Sequence, residues 1–287
     1  MPIEIKDLSH VYMQGSPLAS TAIHDVNAVI NDGEFIGMIG HTGSGKSTLV
    51  QHLNGLLKPT SGTVIVNGHD LMDKKTSLRD IRKHVGLVFQ YPEYQLFEET
   101  VEKDIGFGPR NLGLAEDEIN ERVKEAAKLV GLDDKQLQKS PFELSGGQKR
   151  RCAIAGVLAM QPDILILDEP TAGLDPHGRE EMINLLRRLH KQQGNTMVMV
   201  SHSMTDVARL CDRILVMNKG ELAMSGAPDE VFKHGTELEA MGLGLPDGAQ
   251  LARALREKGF DLPEGIWRTE DLAREIARAL KGGAVNA

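Results

Sequence analysis

The segment 40–47 constrains this chain more than any other part of its sequence. It reads GHTGSGKS, which fits the spacing G-x-x-x-x-G-K-S, and it follows the apolar run 35–39 and precedes a helical stretch over 46–56. Glycines at these positions let the backbone wrap tightly, so that several N–H groups and the start of the next helix face one anion. A buried strand, a glycine-rich turn and a helix in this order predict an α/β fold that binds phosphate groups at the turn.

The composition argues against several classes of protein. The chain has 287 residues, of which 33 are Lys or Arg and 41 are Asp or Glu, so its formal net charge is −8. Nucleic-acid binding depends on clustered cations, and the longest basic run is Lys149-Arg150-Arg151. No apolar stretch approaches the ~18 residues of a membrane span, residues 1–7 lack the features of a signal peptide, and two cysteines form no disulfide framework. We therefore expect a soluble cytoplasmic protein, which could still dock on a membrane protein.

Short apolar and alternating runs predict strands along most of the chain. In the first third these runs are 3–5, 26–30, 35–39, 63–66 and 85–89. Strand–helix alternation returns later, with strands predicted at 164–167 and 197–200. A final pair of runs, 213–217 and 221–224, flanks a turn and predicts a closing hairpin.

Between these strands the pattern changes to that of helices. The stretch 116–130 has apolar residues on one face and Gly131 as its predicted C-cap. We therefore expect one domain over 1–230, with a helical subdomain inserted at about 91–160, and a helical extension over 231–287. In that extension Thr269 is the predicted N-cap of a helix whose apolar stripe consists of Leu272, Ile276 and Leu280.

Several residues of the glycine-rich loop have a predicted chemical role. Lys46 is expected to reach the β- and γ-phosphates of a nucleotide, and the hydroxyl of Ser47 is expected to bind Mg²⁺. The predicted nucleotide contacts in and just after the loop are Gly40, His41, Thr42, Gly43, Ser44, Gly45, Lys46, Ser47 and Thr48.

A second candidate site follows the apolar run 164–167, which ends in Asp168 and Glu169. A buried strand delivers Asp168 to the carboxyl edge of a sheet, where its carboxylate can hold a metal ion or its water shell. Glu169 is then a candidate general base that accepts a proton from an attacking water. The alternative is a strand followed by a solvated acidic turn.

The segment 144–148 reads LSGGQ and begins a helical stretch. Ser145 followed by two glycines is either a simple N-cap or a second helix N-terminus that faces an anion. Taken together, the motifs resemble those of ATP-binding-cassette (ABC) ATPases, and they occur in that family's order. Asp168 lies 23 residues after Ser145, and His202 lies 34 residues after Asp168.

The resemblance implies a P-loop NTPase fold of ABC type, with a RecA-like α/β core and an antiparallel β subdomain. It implies that Gln90 is the Q-loop glutamine, that Asp175 belongs to the D-loop and that His202 is the switch histidine. Tyr12 is similar to the aromatic residue that stacks on adenine, although it could instead be a half-buried strand residue, and His202 could be an ordinary turn residue. The implied catalytic residues are Lys46, Gln90, Glu169 and His202, and the implied Mg²⁺ ligands are Ser47, Gln90 and Asp168.

Pairing is a further implication of the resemblance. In ABC ATPases two such domains associate head-to-tail, and each phosphate loop faces the partner's LSGGQ segment across ATP. The residues that would contact ATP on the partner are Ser145, Gly146, Gly147, Gln148 and Asp175.

A narrower resemblance, to the ATPases of energy-coupling-factor (ECF) transporters, lies in the segments 39–46, 51–56, 90–97 and 171–176. It implies ATP-driven import of vitamins or of cobalt or nickel ions, at the cytoplasmic face of the membrane. The implied partners are a second ATPase (a copy or a homologue), a transmembrane coupling subunit and a membrane substrate-binding subunit. The segment 12–22 resembles the second of the two homologous ATPases, and 231–287 resembles an extension that helps to hold the ATPase pair together. The alternatives are the ATPase of a conventional ABC importer and a soluble ABC ATPase that acts on DNA or ribosomes.

The residues that follow Gln90 are candidates for docking of the coupling subunit. Apolar and aromatic side chains are costly to expose without a reason, and the segment is rich in them. Glu98, Glu99 and Glu102 would suit a basic partner helix. Alternatively, the apolar residues pack under the helical subdomain. The docking candidates are Tyr91, Tyr94, Leu96 and Phe97.

Overall fold

The computed structural model describes residues 2–281, so the last six residues of the predicted extension lie outside the described residues. The strands are β1 (Ile3–Tyr12), β2 (Ser20–Ile30), β3 (Phe35–Ile39), β4 (Ser61–Val66), β5 (His69–Asp70), β6 (Val85–Val88), β7 (Ile164–Asp168), β8 (Thr196–Val200), β9 (Arg213–Asn218) and β10 (Glu221–Gly226). The α-helices are α1 (Lys46–Leu53), α2 (Leu78–His84), α3 (Val101–Leu112), α4 (Glu116–Val130), α5 (Asp134–Leu137), α6 (Gly146–Leu158), α7 (Pro176–Gln193), α8 (Met204–Leu210), α9 (Pro228–Val231), α10 (Gly235–Ala240), α11 (Asp247–Glu257) and α12 (Thr269–Lys281). Two short 3₁₀ segments, Pro92–Gln95 and Pro141–Glu143, flank the helices α3–α5.

The larger of two sheets has six strands, in the order β10-β9-β3-β8-β7-β6. Strands β9, β3, β8, β7 and β6 are parallel, and β10 is antiparallel at one edge. Parallel strands present their carboxyl ends at the same edge of a sheet. This order therefore places the phosphate loop, the Asp168 carboxylate, the His202 loop and the Gln90 segment along one edge, although they are far apart in sequence.

A smaller antiparallel sheet, in the order β2-β1-β4-β5, covers one side of the molecule. Its inward side chains, including Ile3, Ile23 and Val64, share a buried cluster with one face of the parallel sheet and with Leu49 and Leu53 of α1. Helix α1 is therefore held by apolar packing, and its N-terminus stays fixed at the end of β3.

The opposite face of the parallel sheet shares a second buried cluster with helices α6–α9 and, through α6, with α3 and α4. Strands buried on both faces read as continuous apolar runs, as β3, β7 and β8 do. Gly37 of β3 allows close packing against α8, because a Cβ there would lie 2.4 Å from Val207 Cγ1.

Most predicted elements are confirmed, and the differences have local causes. Helix α4 and the hairpin β9–β10 form where they were predicted. Strands β1 and β2 are longer than predicted, because register shifts interrupt the alternation that reveals a strand in sequence. Helix α1 stops at Leu53 rather than 56, since Gly55 takes a φ of 69° in the left-handed region. The apolar stripe of α12 is covered at Leu272, whereas Leu280 is 60% exposed.

Within residues 2–281, no helix is both long enough and apolar enough to cross a membrane.

Candidate functional site

Two glycines of the phosphate loop are required by its packing. A Cβ on Gly40 would lie 2.4 Å from the backbone oxygen of Met217 and 2.4 Å from Ser44 Oγ. Gly45, which precedes α1, has a φ of 101°, and a Cβ there would lie 2.5 Å from Ile23 Cγ2. Only glycine fits both positions, so the loop can take this compact form and begin α1 at the end of β3.

Lys46 lies inside this loop and not on its surface. Its side chain is 6% exposed, and Nζ donates hydrogen bonds to the backbone oxygens of Gly40 (2.6 Å) and His41 (3.0 Å). Burial lowers the pKa of Lys46, whereas the nearby carboxyl groups of Glu169 and Asp168 oppose that shift. The ammonium group is thus fixed beside the acidic strand end, where it can stabilise added negative charge.

A cavity of about 320 Å³ joins the phosphate loop to Tyr12 at the end of β1. The Tyr12 hydroxyl lies 3.2 Å from Thr48 Oγ1, and its ring meets the edge of His10 with the centroids 4.6 Å apart. The Tyr12 ring is 40% exposed, and Ser47 is exposed in the same cavity. Tyr12 is therefore a strand residue that also presents an aromatic surface next to the loop.

Strand β7 ends in a half-buried Asp168, and Glu169 follows it in an unusual backbone conformation. Glu169 has a φ of 51°, and its N–H donates to the Val200 oxygen at 3.0 Å. Left-handed geometry is costly for a residue other than glycine, and it occurs often at functional sites. Burial raises the pKa of both carboxyl groups, in Glu169 to about 7. A carboxylate with this pKa can take up a proton near neutral pH.

Gln90, Glu169 and His202 line one cavity of about 620 Å³. His202 Nε2 lies 3.4 Å from Glu169 Oε1, and this oxygen makes no hydrogen bond within the described residues. Burial, followed by the charge of Lys46, lowers the pKa of His202, which favours a neutral imidazole. Three strand ends thus supply an amide, a carboxyl group and an imidazole to one space.

A network around the buried Asp206, close to His202, was missed by sequence reasoning. Asp206, on α8, is 1% exposed and accepts hydrogen bonds from Arg179 Nε at 3.0 and 3.1 Å. It also accepts one from Thr171 Oγ1 at 3.2 Å, which ties α7 and the loop after β7 to the His202 loop. These partners lie 27 and 35 residues from Asp206, so only the folded chain brings them together.

The C-terminal extension also reaches this site, which the sequence did not predict. Gly244, Leu245, Asp247 and Gln250 line the same cavity as Glu169 and His202. The Asp247 N–H donates to Thr205 Oγ1 at 3.1 Å, directly beside the start of α8. The extension is therefore packed against the edge of the sheet that presents Glu169 and His202.

The LSGGQ segment forms the N-terminus of α6. Ser145 and Gln148 cap each other: the Gln148 N–H donates to Ser145 Oγ (3.3 Å), and the Ser145 N–H donates to Gln148 Oε1 (3.0 Å). A Cβ on Gly146 or Gly147 would meet no atom within 4 Å, so nothing in the described chain requires glycine there. None of these residues lines the cavities of Lys46 or Glu169, and Asp175 caps α7 through the Gly178 N–H at 2.7 Å.

The residues expected to bind Mg²⁺ have suitable chemistry. Ser47, Gln90 and Asp168 offer a hydroxyl, an amide and a carboxylate, which are oxygen donors of the kind that Mg²⁺ prefers. Burial raises the pKa of Asp168, and a nearby cation would counter that effect by stabilising its charged form. Ser47 lies in the first turn of α1, which follows β3, while Gln90 follows β6 and Asp168 ends β7, all on the same edge of the sheet.

The chain is similar to several known proteins. The ABC transporter family matches residues 23–172. The energy-coupling factor transporter ATP-binding protein EcfA2 of Caldanaerobacter subterraneus subsp. tengcongensis is 56% identical over 98% of this chain and 99% of its own length. The protein of the same name from Clostridium perfringens is 59% identical over 93% of this chain and 94% of its own.

Two solved structures share the fold. The structure of cbiO1 from Clostridium perfringens, described as part of the ABC transporter complex cbiONQ, has a TM-score of 0.74. It is 39% identical and covers 84% of this chain and 94% of its own. The ATP-binding cassette MJ0796, solved as a dimer in a post-hydrolysis state with ADP and Pi, has a TM-score of 0.69 at 31% identity, over 79% of this chain and 98% of its own. The chain therefore belongs to the ABC transporter ATPases and, within them, to the ATP-binding subunits that power energy-coupling factor transporters.

Proposed function

We propose that Lys46, Gln90, Asp168, Glu169 and His202 form the hydrolytic half of an ATP site. The observation that carries this is the cavity shared by Gln90, Glu169 and His202. It lies on the same sheet edge as the Lys46 loop. Bound Mg²⁺, held by Ser47, Gln90 and Asp168, would neutralise charge on the phosphates.

In this proposal each side chain has one task. Glu169 accepts a proton from the water that attacks the γ-phosphorus, as the bond to the ADP oxygen breaks and inorganic phosphate forms. The neutral His202 donates a hydrogen bond toward the γ-phosphate, and Gln90 orients the water. Tyr12 stacks on the adenine, while Gly40–Thr48 surround the phosphates with N–H groups.

We also propose that the site is completed by a second ATPase subunit, a copy or a homologue, in a head-to-tail pair. Ser145–Gln148 is a capped, accessible helix N-terminus outside the cavity of its own Lys46, and its glycines leave open space around them. Such an N-terminus suits the anionic end of ATP bound to the partner. Asp175 would lie at the same junction, and the dimeric MJ0796 cassette shows that chains of this fold can pair.

The transported solute belongs to the proposal as well. We infer that the complex imports a vitamin or a transition-metal ion, through a membrane substrate-binding subunit and a transmembrane coupling subunit, with this chain at the cytoplasmic face. The names of the relatives and the cbiONQ complex support a transporter complex of this type, and the solute class is our inference. We expect vesicles that contain the full complex to accumulate one of these solutes only with ATP. Uptake of amino acids instead would favour a conventional importer.

A groove of about 720 Å³ between α2, β6 and the helices α3 and α6 is the proposed dock for the coupling subunit. Leu96 and Phe97 line it, and Phe97 packs edge-on against Phe107 with centroids 4.9 Å apart. Tyr91 and Tyr94 do not line the groove, and Tyr94 is 84% exposed at its side. We propose that a helix of the coupling subunit fills the groove and that Tyr94 lies at its edge.

The charges of this groove differ from the acidic patch expected from the sequence. Arg79, Arg82 and Lys83 line one wall and Asp104 lies on the other. The expected glutamates Glu98, Glu99 and Glu102 do not line it: Glu99 pairs with Lys103 at 2.6 Å, and Glu102 accepts a hydrogen bond from Gln138 at 2.9 Å. The apolar floor, rather than an acidic rim, is therefore the main basis for docking.

Substitutions in this segment separate docking from folding. Phe97 is 57% exposed, so we expect Phe97→Ala or Tyr94→Ala to reduce recovery of the coupling subunit at least about tenfold with little change in Tm. Leu96 is 7% exposed and belongs to the main core, so Leu96→Ala should lower stability by about 2–5 kcal/mol. The checks are thermal unfolding, ATP binding and co-purification of co-expressed subunits. Wild-type recovery with both exposed variants would refute the dock.

A further inference from the structure

Arg150 is buried, although an arginine side chain is rarely buried unless its charge is paired. It lies on α6, five residues after Ser145, and only 2% of it is exposed. Taking a guanidinium group out of water is costly unless its donors are satisfied. The partners of Arg150 therefore indicate what it does.

Its donors reach two other segments at the same time. Nε and Nη2 donate to the two carboxylate oxygens of Glu93, at 3.1 and 2.7 Å. Nη1 donates to the backbone oxygens of Pro170 (3.1 Å) and Ala172 (2.7 Å). The planar guanidinium group suits this arrangement, because its donors point in fixed directions and a lysine could not reach all four acceptors.

The segments that Arg150 joins are those that the proposed mechanism must coordinate. Glu93 lies in the 3₁₀ segment three residues after Gln90, next to the proposed dock. Pro170 and Ala172 lie in the loop that directly follows Glu169. The two segments also touch, since a Cβ on Gly173 would lie 3.3 Å from Tyr91 Cε1.

Both joined segments contain a residue in a strained conformation. Tyr91 has a φ of 53° and Glu169 a φ of 51°, each in the left-handed region. Such conformations persist only when surrounding contacts hold them. Arg150 binds close to both points in sequence: Glu93 lies two residues after Tyr91, and Pro170 directly follows Glu169.

We propose that Arg150 is a positioning residue that couples the dock and the signature helix to the catalytic loop. Its ion pair with Glu93 connects it to the docking segment, and its position on α6 connects it to Ser145. Its hydrogen bonds to the Pro170 and Ala172 oxygens fix the position of Glu169. A shift of α6 or of the 3₁₀ segment therefore moves the general base. The inference rests on the proposed roles of Glu169 and Gln90.

The test compares conservative changes in the complete transporter complex. Glu93→Gln keeps the shape and removes the charge, and Arg150→Lys keeps the charge and loses the fork. We expect kcat for ATP hydrolysis to fall between about tenfold and a hundredfold, with KM for ATP within about twofold. The neighbouring residue offers a matched control: Arg151 pairs with Glu181 on the surface, so Glu181→Gln should leave both constants unchanged.

A charge-swapped variant, Glu93→Arg with Arg150→Glu, tests whether the ion pair alone is sufficient. It restores opposite charges but places no donor on α6 for the Pro170 and Ala172 oxygens. We expect the double variant to have a higher Tm than Glu93→Arg or Arg150→Glu alone, and a kcat no higher than theirs. Recovery of kcat together with Tm would overturn the inference, because a purely structural ion pair would then explain Arg150.

Two further outcomes keep the inference separate from the proposed site. A wild-type kcat in both Glu93→Gln and Arg150→Lys would overturn the role of Arg150 alone. A wild-type kcat in Glu169→Gln, measured in parallel, would overturn the proposed general base and the inference with it. If Arg150→Lys does not fold, Glu93→Gln carries the same test.

Discussion

Glu169→Gln is expected to slow ATP hydrolysis by about 10²–10⁴-fold while ATP still binds. The amide keeps the size of the side chain but cannot accept the proton of the attacking water. Because ATP binds and is not cleaved, the ATPase pair should accumulate in a closed form, visible as a stable dimer by size-exclusion chromatography with ATP. Near-normal turnover would remove Glu169 from the mechanism.

The pH dependence gives this variant an internal control. Because burial raises the pKa of Glu169 to about 7, wild-type hydrolysis should increase as the pH rises through that value, whereas residual turnover in Glu169→Gln should lack this step. The stability effect has the opposite direction. The folded-state pKa lies above the ordinary value of 4.5, so the stability that this group contributes is complete below about pH 4.5 and is lost as the pH rises through about 7.

At pH 8 the variant should therefore be more stable than the wild type, by up to about 3 kcal/mol. Thermal unfolding without nucleotide, at pH 5 and at pH 8, checks this sign. A slow enzyme with a raised Tm at pH 8 would exclude misfolding as the cause of the lost activity. A lowered Tm at pH 8 would contradict the buried, charged state assigned to Glu169.

Gly147→Asp should abolish hydrolysis, with a loss of at least about 10²-fold, and leave the fold intact. A Cβ at Gly147 meets no atom within 4 Å, and an acidic residue at a helix N-terminus is favourable for the helix. The new carboxylate would instead repel the phosphates of ATP on the partner subunit. Ala115→Asp is the matched control, because it adds the same charge at the exposed start of α4.

Mixed pairs show whether the defect acts between subunits. Lys46→Ala removes the cation of the phosphate loop, so this variant should bind ATP weakly at its own site, whereas Gly147→Asp should bind it normally. When copies of the two variants pair head-to-tail, one composite site has an intact Lys46 and an intact LSGGQ segment. Single-turnover hydrolysis should then reappear on mixing. Absence of any recovery would contradict the head-to-tail arrangement.

Local features of the molecule were predictable because they depend on neighbours in the sequence. The phosphate loop was evident from Gly40, Gly45 and Lys46 between a buried run and a helix, and the structure places it there. Helix α4 was evident from its apolar face and its terminal Gly131. Helix periodicity, glycine caps and tight turns are set by a few adjacent residues, so no knowledge of the whole fold is needed.

The order of the family motifs along the chain also identified Gln90, Glu169 and His202 as candidates. The cavity that they share depends on the order of the strands in the sheet. The order β3-β8-β7-β6 differs from the order in the chain, and only this order brings the three strand ends side by side. The same holds for the raised pKa of Glu169, which depends on burial by the surrounding elements.

The residues that only the tertiary structure could identify are those whose partners are distant in sequence. In the sequence Arg150 is one member of a basic triplet, 57 residues from Glu93. In the folded chain its Nη2 lies 2.7 Å from Glu93 Oε1. Asp206 and Arg179 belong to no motif of the sequence, and their hydrogen bonds form only in the folded chain. Whether a charged side chain is solvated or buried depends on which elements pack around it, and its position along the chain does not reveal that packing.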